Sequence, residues 1–178
     1  MDDLSGAAAE SADPANKAYW GPRLWRMLHL LAEVSDRNDL YLLWPAFLKQ
    51  TAAVMPCAAC RHHLATYLRT HAIIRFRSKT PVTGPAVRQK VRADLFTLHN
   101  DVNTRLGKPA ATEADLAVYE VSETQTRQSR LAEIAGLNDA IRTAWAPLHH
   151  LRVEAGAYNE WKRTYSMIYA LVAGGSTA

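Results

Sequence analysis

The chain has 178 residues, 48% of them apolar and 21% charged, with a formal net charge of +4. That apolar share suffices for one core, or one core plus a small appended module, and excludes a disordered polar chain. No stretch approaches the ~18 uninterrupted apolar residues of a membrane-spanning helix, and Asp2 and Asp3 put acid where an export signal carries base, so a soluble, unexported, cytoplasmic protein is expected.

Residues 1–16 are rich in Ala, Ser and Asp without periodicity and are expected to form a disordered tail. From Tyr19 the pattern is helical: Gly21-Pro22 puts a proline where a first turn tolerates it, and Trp25, Leu28, His29 and Ala32 follow at spacings of three and four. Asn38 or Asp39 can cap a second helix through Leu42, Leu43, Phe47 and Ala52 to about Met55, with Pro45 in or near its opening turn. A third helix begins around Cys57, after Pro56, and fades near Thr70. Ser78, Pro81, Gly84 and Pro85 mark a loop, and a fourth helix runs from about Ala86 to Leu106, ended by Gly107 and Pro109. Thr112 and Asp115 make a variant capping box for a short fifth helix. Further helices fill 127–146 and 148–173, interrupted at Pro147. No alternating strand pattern and no repeat is visible, so the fold class is all-α.

Basic residues crowd one segment: Arg61, Arg69, Arg75, Arg77, Lys79, Arg88, Lys90 and Arg92. They read as a solvated helix face and loop, so no nucleic acid partner is expected.

The two cysteines, Cys57 and Cys60, are too few for a stabilising disulfide framework and point to chemistry or to metal. Helical periodicity on both flanks disfavours a thioredoxin-like βαβ frame. Zinc is the more serious alternative, since His62, His63 and His71 follow closely, although the spacer is shorter than in zinc fingers. A redox pair fits as well. Unpaired N–H groups and the positive end of the helix dipole stabilise a thiolate at a helix start, and two sulfurs one turn apart can close a disulfide ring.

A second constellation is His99-Asn100-Asp101-Val102-Asn103-Thr104-Arg105-Leu106-Gly107-Lys108. On a helix His99, Asn103 and Leu106 share a face. Polar side chains on an inward face are costly unless something polar meets them. Trp25 and His29, at i and i+4, offer the same mixture on the first helix. Together they suggest an enclosed flat polar ligand, with Lys108 at its rim for phosphate.

Three blocks now stand in order: Tyr19-Trp20-Gly21-Pro22-Arg23-Leu24-Trp25-Arg26-Met27-Leu28-His29; Pro56-Cys57-x-x-Cys60-x-x-His63-Leu64; and His99-Asn100-x-Val102-Asn103-x-x-Leu106-Gly107-Lys108-Pro109. Over about residues 18–120 the chain resembles the Erv/ALR family of FAD-linked sulfhydryl oxidases, and its opening block resembles the short viral branch of that family, encoded by large DNA viruses. The resemblance implies a four-helix bundle binding FAD, a short fifth helix and a homodimer. It implies an oxidase domain over 17–120, with 121–178 as a helical C-terminal extension.

It also implies Cys57 and Cys60 as the catalytic pair and no metal. The cofactor contacts implied are Gly21, Arg23, Trp25, His29, His63, His99, Asn100, Val102, Asn103, Leu106, Lys108 and Tyr119. Val34 departs from the pattern, standing where such proteins often carry an aromatic. The implied reaction forms disulfides in protein thiols and passes electrons to O2, giving H2O2. Without a second cysteine pair to relay electrons, the partner is expected to be another protein's dithiol, such as a thioredoxin-like carrier. Against this stand a noncatalytic zinc-binding module and a flavin-binding scaffold without turnover. Trp161, Tyr165, Ile168 and Val172 make one apolar stripe in the extension, for packing on the core or for a partner.

Overall fold

A computed structural model describes residues 16–76, 81–120, 126–150 and 155–174, without the side chains of 149 and 150. Among the described residues seven α-helices follow one another: α1 (Lys17–Glu33), α2 (Leu40–Val54), α3 (Ala58–Thr70), α4 (Gly84–Arg105), the short α5 (Glu113–Leu116), α6 (Arg127–His150) and α7 (Ala155–Ala173). A 3-10 turn over Ala117–Tyr119 follows α5. No strand occurs among the described residues, in agreement with the all-α expectation. The expected N-terminal tail lies outside the described residues except for Asn16, whose side chain caps α1 by accepting the Tyr19 N–H at 3.3 Å.

That cap starts α1 earlier than expected, so Pro22 lies in its second turn; Pro45 is likewise in the second turn of α2. At α4 the start moves back to Gly84, because the Thr83 hydroxyl accepts the Ala86 N–H and Pro85 lacks only an N–H that no helix start needs. Pro147 does not interrupt the C-terminal region: α6 runs through it to His150, and 151–154 lie outside the described residues. Pro147 lacks the N–H that would bond the carbonyl of Thr143, an exposed residue, so α6 runs on with one internal hydrogen bond fewer.

α1 packs on α4 and α6, α2 on α3, α4 and α7, and α6 on α7. The C-terminal helices therefore share one core with the first four. A chain of aromatic contacts runs through it: Trp20 of α1 meets Trp145 of α6 edge-on with ring centroids 5.5 Å apart, Trp145 meets Trp161 of α7 at 5.2 Å, and Trp161 stacks on Phe47 of α2 at 6.0 Å. The Trp161 N–H donates to the Thr51 hydroxyl at 3.0 Å, so this buried indole also has its polar atom satisfied. The stripe of Trp161, Tyr165, Ile168 and Val172 is buried within the chain. Val34 is buried in the same core.

The crowded basic residues are partly tied up internally. Lys90 pairs with Asp94 at 2.7 Å, and Arg92 with Glu33 and with Glu120, each at 2.7 Å. Arg77 and Lys79 lie outside the described residues.

Candidate functional site

Cys57 is the N-cap of α3 and is joined by a disulfide to Cys60 in the first turn. The Cys60 backbone N–H donates to Cys57 Sγ at 3.1 Å, so one of the orphan donors of the helix start is aimed at a reactive sulfur. The positive end of the α3 dipole acts in the same direction. The Arg61 guanidinium donates to the Met55 carbonyl at 2.8 Å, in the segment that leads into Cys57. With both sulfurs in the bond neither is a thiolate ligand, and among the described residues no three His, Cys, Asp or Glu side chains gather as a metal site requires.

One turn beyond Cys60, His63 Nε2 lies 2.8 Å from Asp101 Oδ2 on α4. That contact ties the disulfide helix to the segment carrying His99 and Asn100.

Across the α1–α4 contact four rings gather. Trp25 and His99 stack face to face with centroids 4.0 Å apart at 5°, which leaves no room for a third ring between them. His29 packs beside both, 6.0 Å from Trp25 and 5.3 Å from His99, and on Tyr119 at 4.8 Å. His29 Nε2 and His99 Nδ1 are 3.1 Å apart, a hydrogen bond in which one nitrogen carries the hydrogen and the other accepts. Burial depresses both imidazoles to about 4, helped by His99 in the first case and by the Lys108 charge in the second. Both are therefore neutral near pH 7, and one of them accepts through its unprotonated nitrogen.

The charge of Lys108 acts on His99 because of how α4 ends. Gly107 takes a φ of +66°, the Lys108 N–H donates to the Asn103 carbonyl at 2.9 Å and the Gly107 N–H to the Thr104 carbonyl at 3.1 Å, a Schellman turn. Asn103 thus acts here through its backbone. Leu106, expected on the His99 face, is the C-cap of α4, its N–H still bonded to the Val102 carbonyl at 3.0 Å, and is 42% exposed at the helix end. The Asn100 carboxamide clasps the strand of chain beyond it, donating to the Ala111 carbonyl at 3.1 Å and accepting the Ala111 N–H at 2.7 Å. Val102 is half-buried against the core. Arg23 lies over the Tyr19 ring at 3.8 Å and donates to the Tyr19 carbonyl at 2.6 Å, and a side chain at Gly21 would meet only Lys17 Cγ at 3.8 Å.

Three contributors have no signal in the local sequence. Arg26 reaches across to Glu133 of α6 at 2.5 Å and lies 6.0 Å over Tyr119, and Asp101 finds His63 on another helix. Arg130, fully buried on α6, donates to the carbonyls of Tyr119 and Glu120. Their partners are remote in sequence, so no spacing rule reaches them. A separate groove of about 670 Å³ between α6 and α7, lined by Asp139, Arg142, Tyr158 and Lys162 among others, involves none of these residues.

The fold and site define a helical protein with a disulfide at a helix start, on a helix linked by His63 and Asp101 to the one that bears His99 in a cluster of rings. The model of the Erv1 / Alr family matches residues 22–125, more than half of the chain, and the chain belongs to that family. It is similar to the FAD-linked sulfhydryl oxidase of African swine fever virus isolate Pig/Kenya/KEN-50/1950, 29% identical over 134 residues that cover 73% of this chain and 98% of that protein. The corresponding oxidase of isolate Warthog/Namibia/Wart80/1980 matches to the same extent, 29% over 134 residues, with the same coverage of 73% and 98%. Protein 347L of Invertebrate iridescent virus 6 is 29% identical over 100 residues, 53% of this chain and 86% of that protein. No solved structure matches.

Proposed function

We propose that this chain is an FAD-dependent sulfhydryl oxidase that forms disulfides in protein dithiols. The observation that carries the reading is the Cys57–Cys60 disulfide at the start of α3, tied through His63 and Asp101 to the helix bearing His99, in a member of this family. We place the reaction centre within residues 17–120, in a cytoplasmic enzyme that acts as a homodimer, the last being read by sedimentation.

The residues present fit FAD. Trp25, His29, His99 and Tyr119 offer flat faces, the two neutral imidazoles offer both a donor and an acceptor, and Lys108 supplies a cation at the rim for phosphate. Gly21, Arg23, His63, Asn100, Val102, Asn103 and Leu106 complete the contact set in this reading.

A substrate thiolate attacks Cys57 Sγ, the Cys57–Cys60 bond breaks, and Cys60 leaves as a thiolate. The second substrate thiol loses its proton and attacks the substrate sulfur of the mixed disulfide, releasing Cys57 as a thiolate and the substrate as a disulfide. The Cys60 N–H and the helix dipole stabilise the departing Cys57 sulfur, which speeds this second displacement. FAD, held by Trp25, His29, His99, Tyr119 and Lys108, would supply a two-electron acceptor for the Cys57–Cys60 dithiol, with Cys60 the sulfur that faces it, and an outlet to O2 as H2O2. With no further cysteine in the chain, the substrate dithiol must reach Cys57 directly, as a thioredoxin-like carrier can.

Purified protein supplied with FAD is expected to be yellow and to consume oxygen with dithiothreitol, and Cys60→Ser is expected to keep the flavin and lose turnover. A colourless protein with stoichiometric zinc overturns the reading. So does a yellow protein without turnover, or a Cys60→Ser variant that still consumes oxygen.

A further inference from the structure

Tyr119 has little of its own to hold it. It ends a 3-10 turn that follows a four-residue helix, and neither element buries a residue. Its ring nevertheless lies on His29 at 16°. Besides His29 of α1 and Arg92 of α4, which holds Glu120, the turn is gripped from α6, beyond the 22–125 segment that matches the family. Arg130 is 0% exposed, and its two terminal nitrogens donate to the consecutive carbonyls of Tyr119 and Glu120.

The contacts close into a ring. The Glu120 carboxylate accepts from Arg92, and Arg92 also pairs with Glu33, one turn beyond His29 on α1. One turn along α6 from Arg130, Glu133 holds Arg26, whose guanidinium lies over the Tyr119 ring. Two successive turns of α6 thus bear on one tyrosine.

An arginine is an expensive way to fill this space. Taking a guanidinium out of water costs several kcal/mol, and an apolar side chain of similar volume commonly does better. Arg130 Nε has no partner, so the burial is not even fully compensated. What an apolar residue cannot supply is a rigid fork matched to two adjacent carbonyls. We propose that Arg130 is a positioning residue of the cofactor site, which clamps Tyr119 against His29 and so makes the C-terminal extension part of FAD binding. The proposal rests on the reading that Tyr119 and His29 belong to that site.

The test compares wild type, Arg130→Met, Arg130→Lys, Tyr119→Ala and Arg130→Met/Tyr119→Ala. Titration with FAD, followed by flavin fluorescence, gives affinity; thermal melting gives the stability of the FAD-free protein; proton NMR gives the His29 titration. Arg130→Met is expected to weaken FAD by about tenfold, the scale of hydrogen bonds from a charged donor. It is expected to leave the melting temperature unchanged or raised and to move the His29 pKa from about 4 toward 6.5. Arg130→Lys recovers part of the affinity, because an ammonium reaches one carbonyl but has no fork. In the Tyr119→Ala background Arg130→Met should have no further effect on FAD.

Wild-type affinity in Arg130→Met overturns the proposal, as does an unchanged His29 titration or a loss that persists undiminished without Tyr119. Should the wild type take up no FAD, the oxidase reading fails, and the His29 titration in the FAD-free protein still decides whether Arg130 positions Tyr119.

Discussion

His63 Nε2 lies 2.8 Å from Asp101 Oδ2, and this contact spans from the helix that carries the disulfide to the helix that carries His99. The pair is partly solvated, with side-chain exposures of 20% and 43%, so its worth to stability is below about 1 kcal/mol. Its value is geometric: it fixes how the first turn of α3 faces α4. Asp101→Asn and His63→Gln are therefore expected to melt near the wild-type temperature while oxygen consumption falls by about tenfold, since misplacement of reacting groups by even an ångström is costly to rate. Wild-type turnover in both variants would show that the contact positions nothing.

The His29–His99 pair sets a pH dependence whose sign is fixed. Both imidazoles sit at about 4 in the folded protein against an ordinary 6.5, so between those values the unfolded chain binds more protons. Stability then rises with pH across this window and is lost as the pH falls from 6.5 toward about 4, with a slope of at most about 1.4 kcal/mol per pH unit for each imidazole. Urea unfolding of the FAD-free protein between pH 6.5 and about 5, where carboxylates of ordinary pKa add little, measures the slope. A flat profile there would mean that the rings are hydrated.

What the sequence disclosed about this site follows the range of the interactions. Trp25 and His29 lie four residues apart on one helix, so helical periodicity alone puts their rings together. The capping pair Thr112 and Asp115 was equally readable, and the Asp115 carboxylate accepts both the backbone N–H of Thr112, at 2.7 Å, and its hydroxyl. Leu106 keeps the helical N–H bond to Val102 that periodicity implies, but as the C-cap it stands at the open end of α4, 42% exposed, and periodicity says nothing of how a helix end is covered. Pro147 was misread as a break because a proline removes one hydrogen bond from a helix whose remaining bonds carry it on. Arg130 and Glu133 were invisible for a different reason. In a helix sequence they look like solvated charge, and only the arrival of Tyr119, Glu120 and Arg26 from elsewhere in the chain gives them partners.

Trp161 joins α7 to α2 and, through Trp145 and Trp20, to α1. It is fully buried and has its N–H satisfied, so Trp161→Ala leaves a cavity and removes the donor to the Thr51 hydroxyl, which keeps only its own bond to the Phe47 carbonyl at 2.8 Å. A loss of about 3–5 kcal/mol in urea or guanidinium unfolding is expected. Thr51→Val, which strands the indole N–H without opening a cavity, should cost less, about 1–3 kcal/mol. A loss under about 1 kcal/mol in Trp161→Ala would mean that α7 is an appendage rather than part of the core.

Two glycines give opposite expectations for the same substitution. A Cβ at Gly84 would stand 1.7 Å from the Asp36 carbonyl oxygen and 2.4 Å from its carbon, so the start of α4 and the turn between α1 and α2 would have to part. That turn has little freedom to move, because Arg127 of α6 holds the Asp36 carboxylate at 3.0 and 3.1 Å and the Val34 carbonyl at 3.2 Å. Gly84→Ala should therefore destabilise the protein by about 1–3 kcal/mol, as overpacking does. Gly136, exposed in the middle of α6, has nothing within 4 Å of such a Cβ. Gly136→Ala should raise stability by up to about 1 kcal/mol, through helix propensity and a less flexible unfolded chain. Equilibrium unfolding of both variants checks the pair, and a Gly84→Ala protein as stable as wild type would mean that α4 does not abut the turn at Asp36.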